Sequence, residues 1–233
     1  MPTRYFTDRF PFPNPSRANP KGLVAYGGDL RPERVLAAYA QGIFPWPTGE
    51  TDPLLWFSPD PRMVLRPGDL HVSRSLQKTI RQQRFDVRFD TAFDQVIRQC
   101  AAVPRRGQPG TWITREMIRA YGRLHEMGYA HSAEAWSEGE LAGGIYGIAL
   151  GAAFFGESMF TRQRDASKVA FVGLVRQLEA WKFHLLDCQM VTAHLARFGA
   201  SAWPRTRFLQ ALAKALQQPT RQGSWRGSHD CKT

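Results

Sequence analysis

At Ala130 the hydrophobic rhythm of the chain changes from a repeat of 3.6 residues to a repeat of two, and it keeps the shorter repeat to residue 160. Residues 130–137, 140–150 and 152–160 read as three strands, the first two joined by the tight turn Ser137-Glu138-Gly139-Glu140. A loop to Asp165 leads into a helix over about 166–181, with Val169, Leu174 and Leu178 among its apolar positions, and then into a strand from Phe183 to Gln189. Three strands in an antiparallel meander, a crossover helix and a returning strand define an α+β fold around a central mixed, mostly antiparallel sheet. The run Leu141–Gly156 carries no charge. It is shorter than the roughly 20 apolar residues a spanning helix needs, and five glycines interrupt it, so it reads as sheet and no membrane association is expected.

The rest of the chain divides around this block. Residues 1–65 read as a small N-terminal domain: a proline-rich start, a short strand between Gly22 and Gly28, and a helix from Pro32 to about Gln41 closed by Gly42. Phe44-Pro45-Trp46-Pro47 then forces extended backbone, with a loop to Pro61. Residues 66–218 form the main domain. There Ser73 caps a helix to about Arg84, Phe85–Phe89 is a strand, Asp90 caps a helix through Ala101, and Thr114 opens a helix that Gly128 closes. A short helix near 192–197 and a last one from Pro204 to about Gln217 follow. Residues 219–233, polar and containing Gly and Ser, are expected to be a disordered tail. The pattern of the main domain resembles the acyltransferase fold of GCN5-type N-acetyltransferases.

Composition narrows the partners. The chain has 233 residues, 43% hydrophobic and 22% charged, enough for a proper core, yet its net charge is +11. Such an excess favours nucleic acid, an anionic surface or an acidic protein. The basic residues cluster: Arg74, Lys78 and Arg81 fall on one helix face with Arg84 and Arg88 beyond, and Arg105, Arg106, Arg115, Arg119 and Arg123 extend the positive surface. A stripe of this kind suits a phosphate backbone, with a solvated helix face as the plain alternative. Three widely spaced cysteines, Cys100, Cys188 and Cys231, fit a reducing compartment, and the N-terminus shows no apolar signal core, so a cytoplasmic protein is expected. The six histidines have no zinc-ligand spacing, so no metal and no cofactor are expected. Phosphate-binding P-loop, dinucleotide and nucleophile-elbow motifs are missing, and so is the turn that binds the coenzyme A pyrophosphate in acetyltransferases. In its place stands Arg164-Asp165-Ala166-Ser167-Lys168.

Strand alternation locates the chemistry. It puts Phe183, Leu185, Asp187 and Gln189 on one face, so that a carboxylate and an amide stand roughly 6.6 Å apart, within reach of one reacting group. It likewise puts Phe155, Glu157 and Met159 on one face, where a carboxylate between two large apolar side chains is costly unless paired or used. The plain alternatives are an ion pair from Glu157 to Arg162 or Arg164, and Asp187 capping the turn after its strand.

These residues belong to a longer ordered set that resembles one family, the bacterial leucyl/phenylalanyl-tRNA–protein transferases. The matching stretches begin with Phe10-Pro11, Gly22 to Leu30, Ala38-Tyr39, Gly42 to Trp46 and Ser58 to Arg62. They continue through His71 to Leu76, Thr111 to Ile113, Ala130 to Ser132 with Glu134 and Trp136, Gly143 to Gly147, Phe155 to Phe160, Ala166 to Lys168 and Asp187 to Gln189. Phe57 departs from the pattern, standing where the family commonly has a second tryptophan. The resemblance implies a GCN5-related domain that takes aminoacyl-tRNA in place of acyl-coenzyme A. It implies transfer of Leu, Phe or, less well, Met to proteins with an N-terminal Arg or Lys, which marks them for degradation. It implies catalytic roles for Asp187, Gln189 and Glu157, with Gln189 hydrogen-bonding the attacking amine, Asp187 polarising it, and Glu157 receiving the acceptor's cation. Trp112, Tyr121, Phe155, Met159 and Trp56 are expected at the aminoacyl and adenosine pocket, and Arg74, Lys78, Arg81 and Arg84 on the tRNA backbone, in a monomer. A coenzyme-A-dependent N-acetyltransferase and a non-catalytic basic RNA-binding protein are the other readings left open.

Overall fold

In the computed structural model, which describes residues 11–103 and 112–227, two sheets share one chain. Pro32, with its φ preset for a first helical turn, starts helix α1 (Pro32–Ala40), and Gly42 follows its end at φ +73°. Beside α1 lies a small antiparallel sheet of β1 (Leu23–Tyr26), β2 (Phe44–Pro45) and β3 (Leu55–Phe57), with β3 in the middle. Trp56 fills its centre, 1% exposed, with its indole N–H donating to the Gly27 carbonyl at 2.9 Å and Phe12 edge-on at 4.8 Å.

The larger sheet is built from β4 (Arg62–Leu65), β5 (Asp86–Phe89), β6 (Ala130–Ser137), β7 (Glu140–Leu150), β8 (Ala153–Thr161), β9 (Leu185–Gln189) and β10 (Ser201–Trp203). Their order is β10–β4–β9–β8–β7–β6–β5, and of the neighbouring pairs β8 and β9 alone run parallel. The expected α+β class and mixed, mostly antiparallel sheet stand. Helix α5 (Ala166–Ala180) makes the crossover between β8 and β9 and covers one face of the sheet. Helices α3 (Phe93–Ala102) and α4 (Arg115–Glu126) cover the other face, and α7 (Arg205–Ala215) packs against β4 and β9. On the surface near α5 lies α2 (Arg74–Arg81), capped by Ser73 as expected, and a single turn α6 (Ala193–Ala196) precedes β10. Thr114 caps α4, and Gly128 follows it at φ +77°.

Sequence periodicity misses β4. Residues 62–65, read as the end of the N-terminal domain, are a strand between β10 and β9, buried at every position, so the large sheet begins at Arg62. A strand of four residues that opens on arginine and is flanked by prolines has no visible period of its own. Asp90 does not cap α3 either. It sits at φ +55°, 1% exposed, and accepts hydrogen bonds from the Ser132 amide (2.9 Å) and the Trp225 amide (2.8 Å), with His131 Nδ1 at 2.9 Å. Glu134 of β6 serves the start of α3 instead, accepting the amides of Thr91 and Ala92.

The expected disorder after Pro219 also fails as far as residue 227; residues 228–233 lie outside those described. Trp225 is 1% exposed, stacks on His131 with ring centroids 3.7 Å apart, and packs edge-on against Trp181 and Phe183. A composition average hides one large aromatic among polar neighbours, and here that side chain is buried while Thr220, Gln222 and Arg226 add hydrogen bonds with Gly151, Met127 and Asp90.

Candidate active site

The parallel strands β8 and β9 pair only as far as Phe155 and Asp187, and just beyond that point β8 carries a bulge. Tyr146 of β7 faces Ser158 and Gly147 faces Gly156, which leaves Glu157 as the extra residue. A Cβ on Gly147 would lie 2.2 Å from the Phe155 carbonyl oxygen, so only glycine fits there. The bulge resets the alternation. Phe155 and Glu157 point toward α1 and α4, whereas Met159 packs among the side chains on the α5 face. The expected common face for Phe155, Glu157 and Met159 is therefore wrong for Met159.

Three side chains converge on the Glu157 carboxyl. Tyr39 of α1 donates to Oε1 at 2.6 Å, Gln189 Nε2 of β9 donates to the same oxygen at 2.7 Å, and Tyr121 of α4 donates to Oε2 at 3.1 Å. The two tyrosine hydroxyls lie 2.6 Å from each other, and neither residue has exposed surface. Glu157 itself keeps some accessible surface. Burial among these rings raises its pKa to about 7, against hydrogen bonds from Tyr39, Tyr121 and Gln189 that favour the ionised form, with the nearby Asp187 charge adding to the rise. Burial and the same carboxylate push both phenols well above their ordinary range, so they remain donors. The ion pair from Glu157 to Arg162 or Arg164 is not formed: Arg162 donates to Gln99, and Arg164 lies beside Asp165.

Gln189 ends β9 at φ +60°, a conformation uncommon for a residue with a side chain. Its amide donates to Asp187 Oδ1 at 2.9 Å, closing a local turn of the kind expected of a strand-end aspartate. Asp187 is fully buried against Arg62 of β4, also fully buried, whose Nε and Nη2 bond the two carboxylate oxygens at 2.8 and 2.6 Å. Asp187 and Gln189 are joined by that amide hydrogen bond, but only Gln189 reaches Glu157; Asp187 has no surface left to touch an amine. Phe183 lies outside β9 and belongs to the α5 side of the core.

Near α1, Trp46 and Trp112 come together with ring centroids 6.4 Å apart, both partly exposed. Trp56, expected in the pocket, instead holds the centre of the small sheet. Phe155 is fully buried with Tyr39 edge-on at 5.0 Å, so it backs the site from within. Met159 keeps partial exposure. Arg74, Lys78, Arg81 and Arg84 are all exposed, and Lys78 and Arg84 line a cleft of about 1070 Å³ that continues to Arg164 and Lys168. Arg105 and Arg106 lie outside the described residues. Sequence reasoning gave no role to Tyr39, Arg62 or Trp46. Tyr39 sits on the apolar stripe of α1 with Val35 and Leu36 and reads as core, and a lone arginine between prolines reads as surface.

Comparison with known proteins defines the class first: the chain is an aminoacyltransferase. A family model described as leucyl/phenylalanyl-tRNA protein transferase matches residues 64–213, and one for the N-terminal domain of the same proteins matches residues 28–60. The leucyl/phenylalanyl-tRNA–protein transferase of Myxococcus xanthus is 62% identical over 97% of this chain and 97% of its own length. That of Nitratidesulfovibrio vulgaris is 58% identical over 94% of this chain and 93% of its own. The chain belongs to the leucyl/phenylalanyl-tRNA–protein transferase family. Among solved structures, a GCN5-related N-acetyltransferase from Kribbella flavida aligns with TM-score 0.37 and 10% identity over 61% of this chain and 54% of that one. Family membership replaces the two other readings, acetyl transfer from coenzyme A and RNA binding without catalysis.

Proposed function

We propose that the protein moves leucine or phenylalanine, and less well methionine, from charged tRNA to the α-amino group of proteins beginning with arginine or lysine, as a monomer in the cytoplasm, marking them for degradation. The observation that carries this reading is Glu157: a residue that keeps some accessible surface, its carboxyl held by Gln189 and two tyrosines and raised to a pKa of about 7. The acceptor's α-amine attacks the ester carbonyl that joins the amino acid to the terminal ribose; the carbon–nitrogen bond forms as the carbon–oxygen bond breaks. An ordinary α-ammonium has a pKa of about 8, so a neighbouring base near 7 is well matched to remove its proton and return it to the leaving ribose oxygen. Gln189 uses its amide nitrogen on Glu157, which leaves its carbonyl oxygen to accept a hydrogen bond from the amine and orient it. The negative charge of Glu157 also suits the cationic end of an acceptor that begins with arginine or lysine.

The remaining groups address the donor. Trp46 and Trp112 offer partly exposed indole faces for the terminal adenine, a contact worth about 1–3 kcal/mol for each stacked base. The exposed cations of α2 and the cleft beside it suit the tRNA backbone. The direct test incubates the protein with radiolabelled leucyl-tRNA and two peptides that differ only in a first residue of arginine or glutamate. Label is expected in the arginine peptide alone; label in neither peptide would refute the reading.

A further inference from the structure

The Glu157 cluster is assembled from two halves of the molecule, and a single buried side chain touches the supports of both. Tyr39 arrives on α1; Gln189 arrives at the end of β9. Arg62 lies between these elements. Its Nη1 donates to the Gly42 carbonyl just past α1 at 3.1 Å, while its Nε and Nη2 hold Asp187, which in turn accepts the Gln189 amide. The guanidinium is sandwiched by the Phe44 ring of β2 and the Phe208 ring of α7, at 4.8 and 4.5 Å from their centroids. We propose that Arg62 is a positioning residue for aminoacyl transfer: it clamps the end of α1 to the end of β9, so that Tyr39 and Gln189 converge on the same oxygen of Glu157.

Two physical points carry the inference. A fully buried ion pair adds little net stability over well-packed apolar groups of similar volume, so folding alone does not account for an arginine and an aspartate here. The planar fork matters as well, because three of its nitrogens serve two acceptors on different elements, which the point charge of a lysine cannot reproduce. Loosening the fork would free Asp187, and with it the left-handed turn at Gln189 whose backbone amide Asp187 accepts. Glu157 would then lose one of the hydrogen bonds that favour its ionised form; its other ionisable neighbours, Tyr39, Tyr121 and Asp187, remain in place.

The inference rests on the roles given above to Glu157 and Gln189, and its test separates the two. Arg62→Lys keeps the charge and removes the fork. The expected result is a kcat for leucine transfer lowered about ten- to hundredfold, the scale of a small misplacement, with the KM for leucyl-tRNA within about twofold of the parent. The Glu157 carboxyl, followed by carbon-13 NMR in the protein without substrate, is expected to titrate higher than in the parent. A folded Arg62→Lys protein with unchanged kcat and unmoved Glu157 titration overturns the proposal. The paired variant Arg62→Met with Asp187→Leu, which removes both charges, is expected to fold and remain slow; parental turnover in it overturns the proposal too. A parent protein that transfers no leucine refutes the functional reading instead, and leaves the NMR comparison to judge Arg62.

Discussion

Glu157 shows how much one carboxyl can reveal through its protonation. The native protein holds its proton up to about pH 7, whereas an unfolded chain releases it near 4.5. Its contribution to stability is therefore fully present below pH 4.5, declines as pH rises, and is lost above about 7. Glu157→Gln never ionises, so its melting temperature relative to the parent should climb between pH 5 and about 7.5 and then level off. Parallel melting curves across that range would contradict the assigned environment. The same variant should lose transfer activity, and the parent's rate should rise with pH through about 7, as expected for a base that must first be deprotonated. Trp112→Ala should raise the KM for charged tRNA about tenfold or more with little change in melting, since a stacked base is worth about 1–3 kcal/mol. Alternation alone brought Asp187, Gln189 and Glu157 to notice. It did not reveal that Asp187 faces a buried arginine, because no local pattern in a sequence reports a partner 125 residues away.

Elements with ends were easier to read than elements without them. Ser73 and Thr114 announced their helices through their capping hydroxyls, and the long strands β6 and β7 through their period. Strands β2, β3, β4 and β10 are two to four residues long, too short for any period to emerge, and their pairing is decided by distant neighbours. The bulge in β8 is hidden for a related reason: it displaces one residue and reverses every face after it. Gly147→Ala would drive a methyl group into the Phe155 carbonyl and should force that bulge to reorganise. Transfer is expected to collapse while far-ultraviolet circular dichroism keeps its native shape; full activity would show that the bulge tolerates a side chain. On α2 and just past its end, combined replacement of Lys78, Arg81 and Arg84 by alanine should raise the KM for leucyl-tRNA most at low salt. It should also flatten the dependence of log affinity on log salt by up to about three, one for each lost phosphate contact. An unaltered slope would send the tRNA elsewhere.

At the scale of the molecule, the small sheet and the large one are joined through the site itself. α1 supplies Tyr39, β4 supplies Arg62, and both meet groups from β8 and β9. A chain cut near residue 61 should therefore lose transfer in both pieces, even where each retains its own sheet. The segment after α7 belongs to the same economy of contacts. Trp225→Ala removes a buried indole from His131, Phe154, Trp181 and Phe183 and should cost about 3–5 kcal/mol, lowering the melting temperature by roughly 10 °C. A loss of only a degree or two would mean that the docked segment is a passenger.

That docking has a consequence for how the chain is born. Trp225 closes a pocket whose walls, His131, Phe154, Trp181 and Phe183, are synthesised 42 to 94 residues earlier, and β10 completes a sheet edge begun at Arg62. While translation is still short of residue 225, those rings face water on the nascent polypeptide. The ribosome therefore presents a nearly finished fold with an open greasy slot, and helper chaperones that grip such slots have their opportunity before the last tryptophan arrives.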